Sequence, residues 1–296
     1  MSKRAIPTSI WTVGLLVVIG VGAFFIPRDT ETSIPIQEPV QNTNGDVEDR
    51  QTPIVKQVQN TNSDKPIEDG AITWFFDGGS KTWKTNGNPP ACPDSLVFPA
   101  PADVSLASGI LYPGQIRGGD YKPHGGIRFD SLSNNNISVY APMDGKLFKA
   151  SRHMAFGEVQ YSLYVTHDCG IMYKLDHLRV LTKKFEDILN STPMGAEGDS
   201  RTTQISPPVF IAKGELIATK VGFESNKNVF FDFGVYDLRK TNGVIYDANF
   251  RAQHSNIDEA GTHALCWLDY LIASDRSIVK GLPGSGTEGK TSDYCK

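Results

Sequence analysis

A histidine, an arginine and an aspartate on one face of a short extended run are the first residues in this chain placed to do chemistry. Tyr121-Lys122-Pro123-His124-Gly125-Gly126-Ile127-Arg128-Phe129-Asp130 reads as a strand entered through a tight turn, since two glycines follow the histidine and an alternating run follows them. A two-residue repeat puts His124, Gly126, Arg128 and Asp130 on one face, with Ile127 and Phe129 on the other. Polar groups gathered beside a small residue mark a site rather than a core. Imidazole and carboxylate could hold a cation or pass protons there, whereas Arg128 is a permanent cation that never deprotonates.

Other segments extend the pattern. Val139-Tyr140-Ala141-Pro142 leads to Gly145; His167 and Gly170 precede Tyr173 and then His177-Leu178; Ile211 and Gly214 precede Ile217. In this order, from about Ala100 to Asp237, the segments resemble the lysostaphin-like (LytM-type) zinc metallopeptidases, which cut peptide bonds in bacterial cell walls. The resemblance implies an all-β fold, a compact β-sandwich or barrel-sandwich hybrid. It also implies zinc held by a His, an Asp four residues later, and the second His of an H-x-H motif. His124 keeps the first position, Arg128 stands at the second and Asp232 at the third. Phe230 replaces a catalytic histidine, while His177 aligns with the family's other active-site histidine and is the remnant of the catalytic set.

Zinc accepts a carboxylate in place of histidine, but a guanidinium in place of aspartate repels it. Asp130 is the one nearby substitute, about 6.7 Å further along the strand unless a bulge shortens the offset. The reading is therefore a degenerate member with no zinc, whose groove binds a cell-wall peptide or a partner hydrolase. The alternative is an active zinc endopeptidase with an altered ligand set. In the degenerate reading the Arg128 guanidinium fills the metal position and bonds Asp232, with His124 and His177 nearby and Phe230 flooring the groove.

The positioning elements are mostly strands. Ile137–Pro142 and Gly145–Ala150 flank a Met-Asp-Gly turn, and Val159–Thr166 and Ile171–Leu178 flank His167–Gly170. Glu215–Thr219 and Asn228–Tyr236 are further strands. Ile72–Phe76, a Gly-Gly turn and Trp83 suggest another hairpin; Trp74 and Trp83 read as caps on the core, with sugar stacking as the alternative. Residues 183–206, rich in Gly, Ser, Thr and Asp, read as a surface loop. Residues 70–237 would form the peptidase-like domain and 238–296 an extension, in which Thr262–Ile272 is the best helical or buried stretch before a Gly/Ser/Thr-rich coil. None of the four cysteines has C-x-x-C spacing, so they read as disulfides, with Cys266 tied to its neighbour Cys295 and Cys92 paired with Cys169 or left free.

With 39% hydrophobic and 21% charged residues, this 296-residue chain has enough apolar material for a core. A net charge of -4 with no basic run or aromatic-basic patch gives no hint of nucleic acid, and none is expected as a partner. Lys3 and Arg4 precede an apolar run that carries no charge before Arg28, a helix of roughly 27 Å from Ser9 to Ile26. It is longer than the apolar part of a signal peptide and ends in bulky Phe24-Phe25-Ile26, which favours an uncleaved single-pass anchor over residues 1–27. Residues 28–69 are polar, nearly free of aromatics and carry Val-Gln-Asn-Thr-Asn twice, the composition of a flexible tether. Lys3 and Arg4 place the start in the cytoplasm and the rest outside the cell membrane. Protease added to intact spheroplasts should therefore digest the C-terminal part; full protection would overturn this topology.

Overall fold

Short strands punctuated by Gly and Asp turns build most of the chain. The computed structural model describes residues 72–254, 257 and 259–295, all within one compact unit. The proposed anchor and tether lie outside the described residues. Among the described residues no helix is long and apolar enough to cross a membrane.

A first hairpin, β1 (Trp74–Asp77) and β2 (Thr82–Thr85), precedes β3 (Gly109–Leu111). A second, β4 (Gln115–Arg117) and β5 (Asp120–Lys122), leads into β6 (Gly125–Arg128). Then come β7 (Val139–Tyr140), β8 (Gly145–Ala155), β9 (Glu158–Thr166), β10 (Ile171–Leu181), α1 (Lys183–Asn190), β11 (Met194–Glu197), β12 (Thr203–Ile211), β13 (Leu216–Val221) and β14 (Phe230–Asp237). Helices α2 (Ala248–Gln253) and α3 (Ala273–Gly281) follow. Ten of the strands form one sheet with the spine β11-β8-β9-β10-β14-β6-β3; β12 pairs with β8, and β13 joins β10 to β7. Pairing is antiparallel except between β11 and β8. The fold is mostly β, as expected, and no barrel closes.

Period-two alternation divides the sheet into two unlike faces. Ile127, Phe129, Leu147, Leu163, Val165, Tyr173, Leu175, Phe231 and Phe233 point into the main core and are fully buried. The other face carries Gly126, Asp176, Asp232 and Gly234, with an aromatic layer of Trp74, Trp83, Phe148 and Tyr236 at one end. A one-residue slip of β14 would exchange the two sets, so burial of the phenylalanines fixes where Asp232 points.

Several elements differ from the sequence reading. Residues 183–206 are not a loop: α1 buries Phe185 and Leu189 one turn apart, and β11 and the start of β12 follow. Gly- and Ser-rich composition concealed that helical spacing. The strands on either side of Met143-Asp144 do not pair with each other; β7 pairs with β13, and β8 with β9. Thr262–Ile272 is buried but contains two short 3-10 turns, Gly261–His263 and Trp267–Tyr270. The helix comes next, as α3, where coil was expected. Asp275 in its first turn and Lys280 in its last suit the helix dipole.

The C-terminal residues complete the core. Trp267, Leu268, Leu271 and Val279 belong to it, and Trp267 packs edge-on against Phe233. Pro283 and Ser285 hydrogen-bond both backbone groups of Ile110, covering the open edge of β3. Beyond them a strap holds the β4–β5 hairpin. Gln115 donates to the carbonyls of Gly289 and Thr291, Ser292 Oγ to that of Pro113, and Asp293 N to that of Gly114. The Cys266–Cys295 and Cys92–Cys169 disulfides are both present. Removing Cys266–Cys295 by a double Cys→Ala change releases a loop closure worth about 3.5 kcal/mol. For a domain of this size the melting temperature should fall by roughly 10 °C. An unchanged melting temperature in calorimetry would mean that the noncovalent strap alone holds the C-terminus.

Candidate functional site

The polar face is built where β10, β14 and β6 lie side by side. Their register places Asp176 opposite Asp232, and Asp232 opposite Gly126. Glycine is required at that point, since a Cβ on Gly126 would lie 2.7 Å from both Asp232 Oδ1 and the Phe231 carbonyl. Gly234 leaves equivalent room for His124, whose Cβ would be 2.8 Å from an added methyl. The two small residues let a histidine and a carboxylate meet on a close-packed sheet.

They meet directly. His124 Nε2 lies 3.0 Å from Asp232 Oδ2, and both residues are buried. His177 Nε2 is 3.9 Å from the same oxygen. A guanidinium nitrogen of Arg117 lies 4.0 Å from the other oxygen, Oδ1. Arg117 also donates to the carbonyls of Tyr112 and His124, at 2.9 Å each, so the hairpin carrying it is fastened to the site. His177 occupies a bulge in β10 with φ of 60°, a left-handed conformation uncommon outside glycine. Asp176 Oδ1 accepts the His177 backbone N–H at 2.8 Å, and its Oδ2 pairs with Lys174 at 2.8 Å. The His177 ring leans on Phe230 and Phe223, with centroids 4.7 and 5.2 Å away.

The electrostatics follow from burial. Desolvation and the nearby Lys174 ammonium push His124 below the ordinary histidine range. Burial alone would raise Asp232, but the positive groups around it and the hydrogen bond from His124 bring its carboxyl down to about 2. One proton lies between Nε2 and Oδ2. It resides on nitrogen, so a neutral imidazole donates to an ionised carboxylate. Asp176 is likewise held well below the usual range: burial opposes ionisation, and Lys174 beside it prevails. Lys174 is correspondingly raised, its own desolvation outweighed by Asp176.

Arg128 is not the group that faces Asp232. Its guanidinium forms a fork with Asp130, at 2.9 and 2.5 Å, donates to Asn228 at 3.0 Å, and lies over the Phe230 ring. Asp130 is half exposed and two residues away on the same strand face, so this pairing needs little desolvation. Asp130 therefore supplies nothing to the centre, and Phe230 forms a wall beside His177. Sequence reasoning missed Arg117. Its signal was present: Gln115-Ile116-Arg117 before Gly118-Gly119 is a hairpin placed immediately ahead of His124.

Zinc, implied by the resemblance, does not fit these residues. His124, His177 and Asp232 lie together, but the two imidazoles meet the carboxylate directly, and among the described residues no group of three His, Cys, Asp or Glu is arranged to hold a metal ion. The buried charges already balance, Arg117 and Lys174 against Asp232 and Asp176, so a dication would add uncompensated charge beside a guanidinium. What the arrangement can do is hold a proton on His124 and present buried, paired charges.

No family model matches the sequence, and no curated protein does. Among solved structures the chain is similar to Csd3 of Helicobacter pylori, at 10% identity and a TM-score of 0.33, over 70% of this chain and 45% of that one. The chain thus spans less than half the length of Csd3. The likeness is distant. Fold and site together define a mostly β domain with a buried, charge-balanced histidine–carboxylate centre.

The shifts set a pH dependence. His124 must gain a proton on unfolding below about pH 6.5, its unfolded value, so stability begins to fall there. Asp232 contributes stability above its unfolded value of 3.8 that is lost as pH falls through about 2. Melting temperature should decline gently below pH 6.5 and steeply below 4. Asp232→Asn should flatten the lower limb; an unaltered profile in that variant would remove Asp232 from the account.

Proposed function

We propose that this chain is a membrane-anchored, extracytoplasmic envelope protein with a lysostaphin-like sandwich fold that has lost its metal chemistry. It binds a cell-wall peptide or a partner hydrolase without cutting. The observation that carries the reading is Arg117 beside Asp232, with Arg128 drawn off to Asp130. A hydrolytic zinc centre needs ligands that leave a position open for water. Here a guanidinium stands beside Asp232, the carboxylate at the family's third ligand position. Phe230, at the position of the family's proton-handling histidine, has no group to move a proton. In this reading the strands that carry the centre keep the family's scaffold, held by the core on their other face, and serve binding without turnover.

The test is zinc content and peptide cleavage in the full-length protein. The wild type should carry far less than stoichiometric zinc after dialysis and leave cell-wall peptides intact, yet be retained on purified cell-wall material. The combined change Arg117→Met, Arg128→Asp, Phe230→His and Asp232→His should gain zinc, because it restores the family's ligand set and removes the competing guanidinium. Stoichiometric zinc with cleavage by the wild type would replace this reading with an active endopeptidase.

A further inference from the structure

A second built feature lies on the same sheet face, one strand row away from the histidine–carboxylate centre. A half-open cavity of about 210 Å³ is walled by Trp83, Phe148, Tyr164 and Met172, and edged by Lys149, Glu259 and Thr202. It is assembled from distant parts of the chain: β2, the central strands, the start of β12 and the segment before Gly261. A bulge in β8 lets consecutive residues serve it. Register with β9 shifts between Leu147 and Lys149, so Phe148 and Lys149 both line the cavity although neighbours in a regular strand face opposite ways.

The chemistry of the walls and edge limits the occupant. Lys149 Nζ lies 2.5 Å from Glu259 Oε1, so the edge holds strong donors and acceptors but little net charge. A paired rim of this kind gives no excess charge to select an ion and suits a neutral ligand rich in hydroxyl groups. Trp83 is anchored by donation from its ring nitrogen to the Glu259 carbonyl, and Phe148 meets it edge-on at 6.4 Å. Lys174 sits over the Tyr164 ring from the side of the first site. Apolar rings below and polar groups around the edge match a molecule with a flat C–H face and a hydroxylated perimeter. Since about 150 Å³ accommodates benzene, this volume takes one substituted six-membered ring and not two.

We infer that this cavity binds a single pyranose ring of a neutral oligosaccharide, stacked on the aromatic wall with its hydroxyls bonded to Lys149 and Glu259. The inference goes beyond the proposed function and does not depend on the state of the histidine–carboxylate centre. Chitotriose and cellotriose are the probes, added to the full-length protein in saturation-transfer NMR. Transfer to at least one trisaccharide should be concentrated on one of its rings. Lys149→Met and Glu259→Gln, both at the edge and compatible with folding, should each weaken binding roughly fivefold. Phe156→Ser, at the exposed tip of the β8–β9 hairpin, should leave it unchanged. Transfer to neither sugar, transfer spread evenly over all rings, or binding unaltered in both edge variants would overturn the assignment. So would preferential binding of N-acetyl-phenylalanine amide, which would mark the cavity as a pocket for an aromatic side chain.

Discussion

The contact between His124 and Asp232 is the constraint on which the polar half of the sheet depends. A carboxylate buried between strands costs several kcal/mol unless its charge is answered. Here it is answered by an imidazole N–H, by Arg117 across the other oxygen, and by the register that puts glycine opposite it. Changing Gly126 to a larger residue would push into Asp232. Changing Arg117 would leave that carboxylate with imidazoles alone. The neighbouring Lys174–Asp176 pair repeats the solution one strand along, where Asp176 also holds the bulged His177 backbone.

This arrangement joins the two faces of the sheet. The phenylalanines of β14 alternate with Asp232, so packing of Phe231 and Phe233 against the main core aims the carboxylate at His124. Trp267, from the far end of the chain, packs on Phe233 from beneath. Core and centre are two sides of one strand.

Much of the architecture was legible because alternation and turn residues are strong signals. The β9–β10 hairpin, β14 and the polar face of β6 follow from period two and from His167–Gly170. Among the elements that were missed are the β4–β5 hairpin, α1, concealed by polar composition, and α3, which follows a buried stretch that does not itself form an α-helix. At the site, residue types showed that His124, Arg128 and Asp232 share a neighbourhood, but not which cation answers Asp232. That choice is made by burial. Arg128 reaches a half-exposed partner two residues away, whereas Arg117 is delivered by a hairpin whose position depends on residues almost two hundred positions later. Local spacing marks the hairpin but not the distant residues that seat it.

The strap makes the centre answer to a distant part of the chain. The backbone groups that seat the β4–β5 hairpin come from Gly289, Thr291 and Asp293. The β8–β9–β10 ladder, by contrast, is built from neighbouring hairpins and takes no backbone bond from those residues. The Cys266–Cys295 disulfide fastens the strap to the segment whose Trp267 packs beneath β14. The environment of one carboxylate is therefore shared between segments about 175 positions apart, and a change in the strap is felt at Asp232 through the hairpin that carries Arg117.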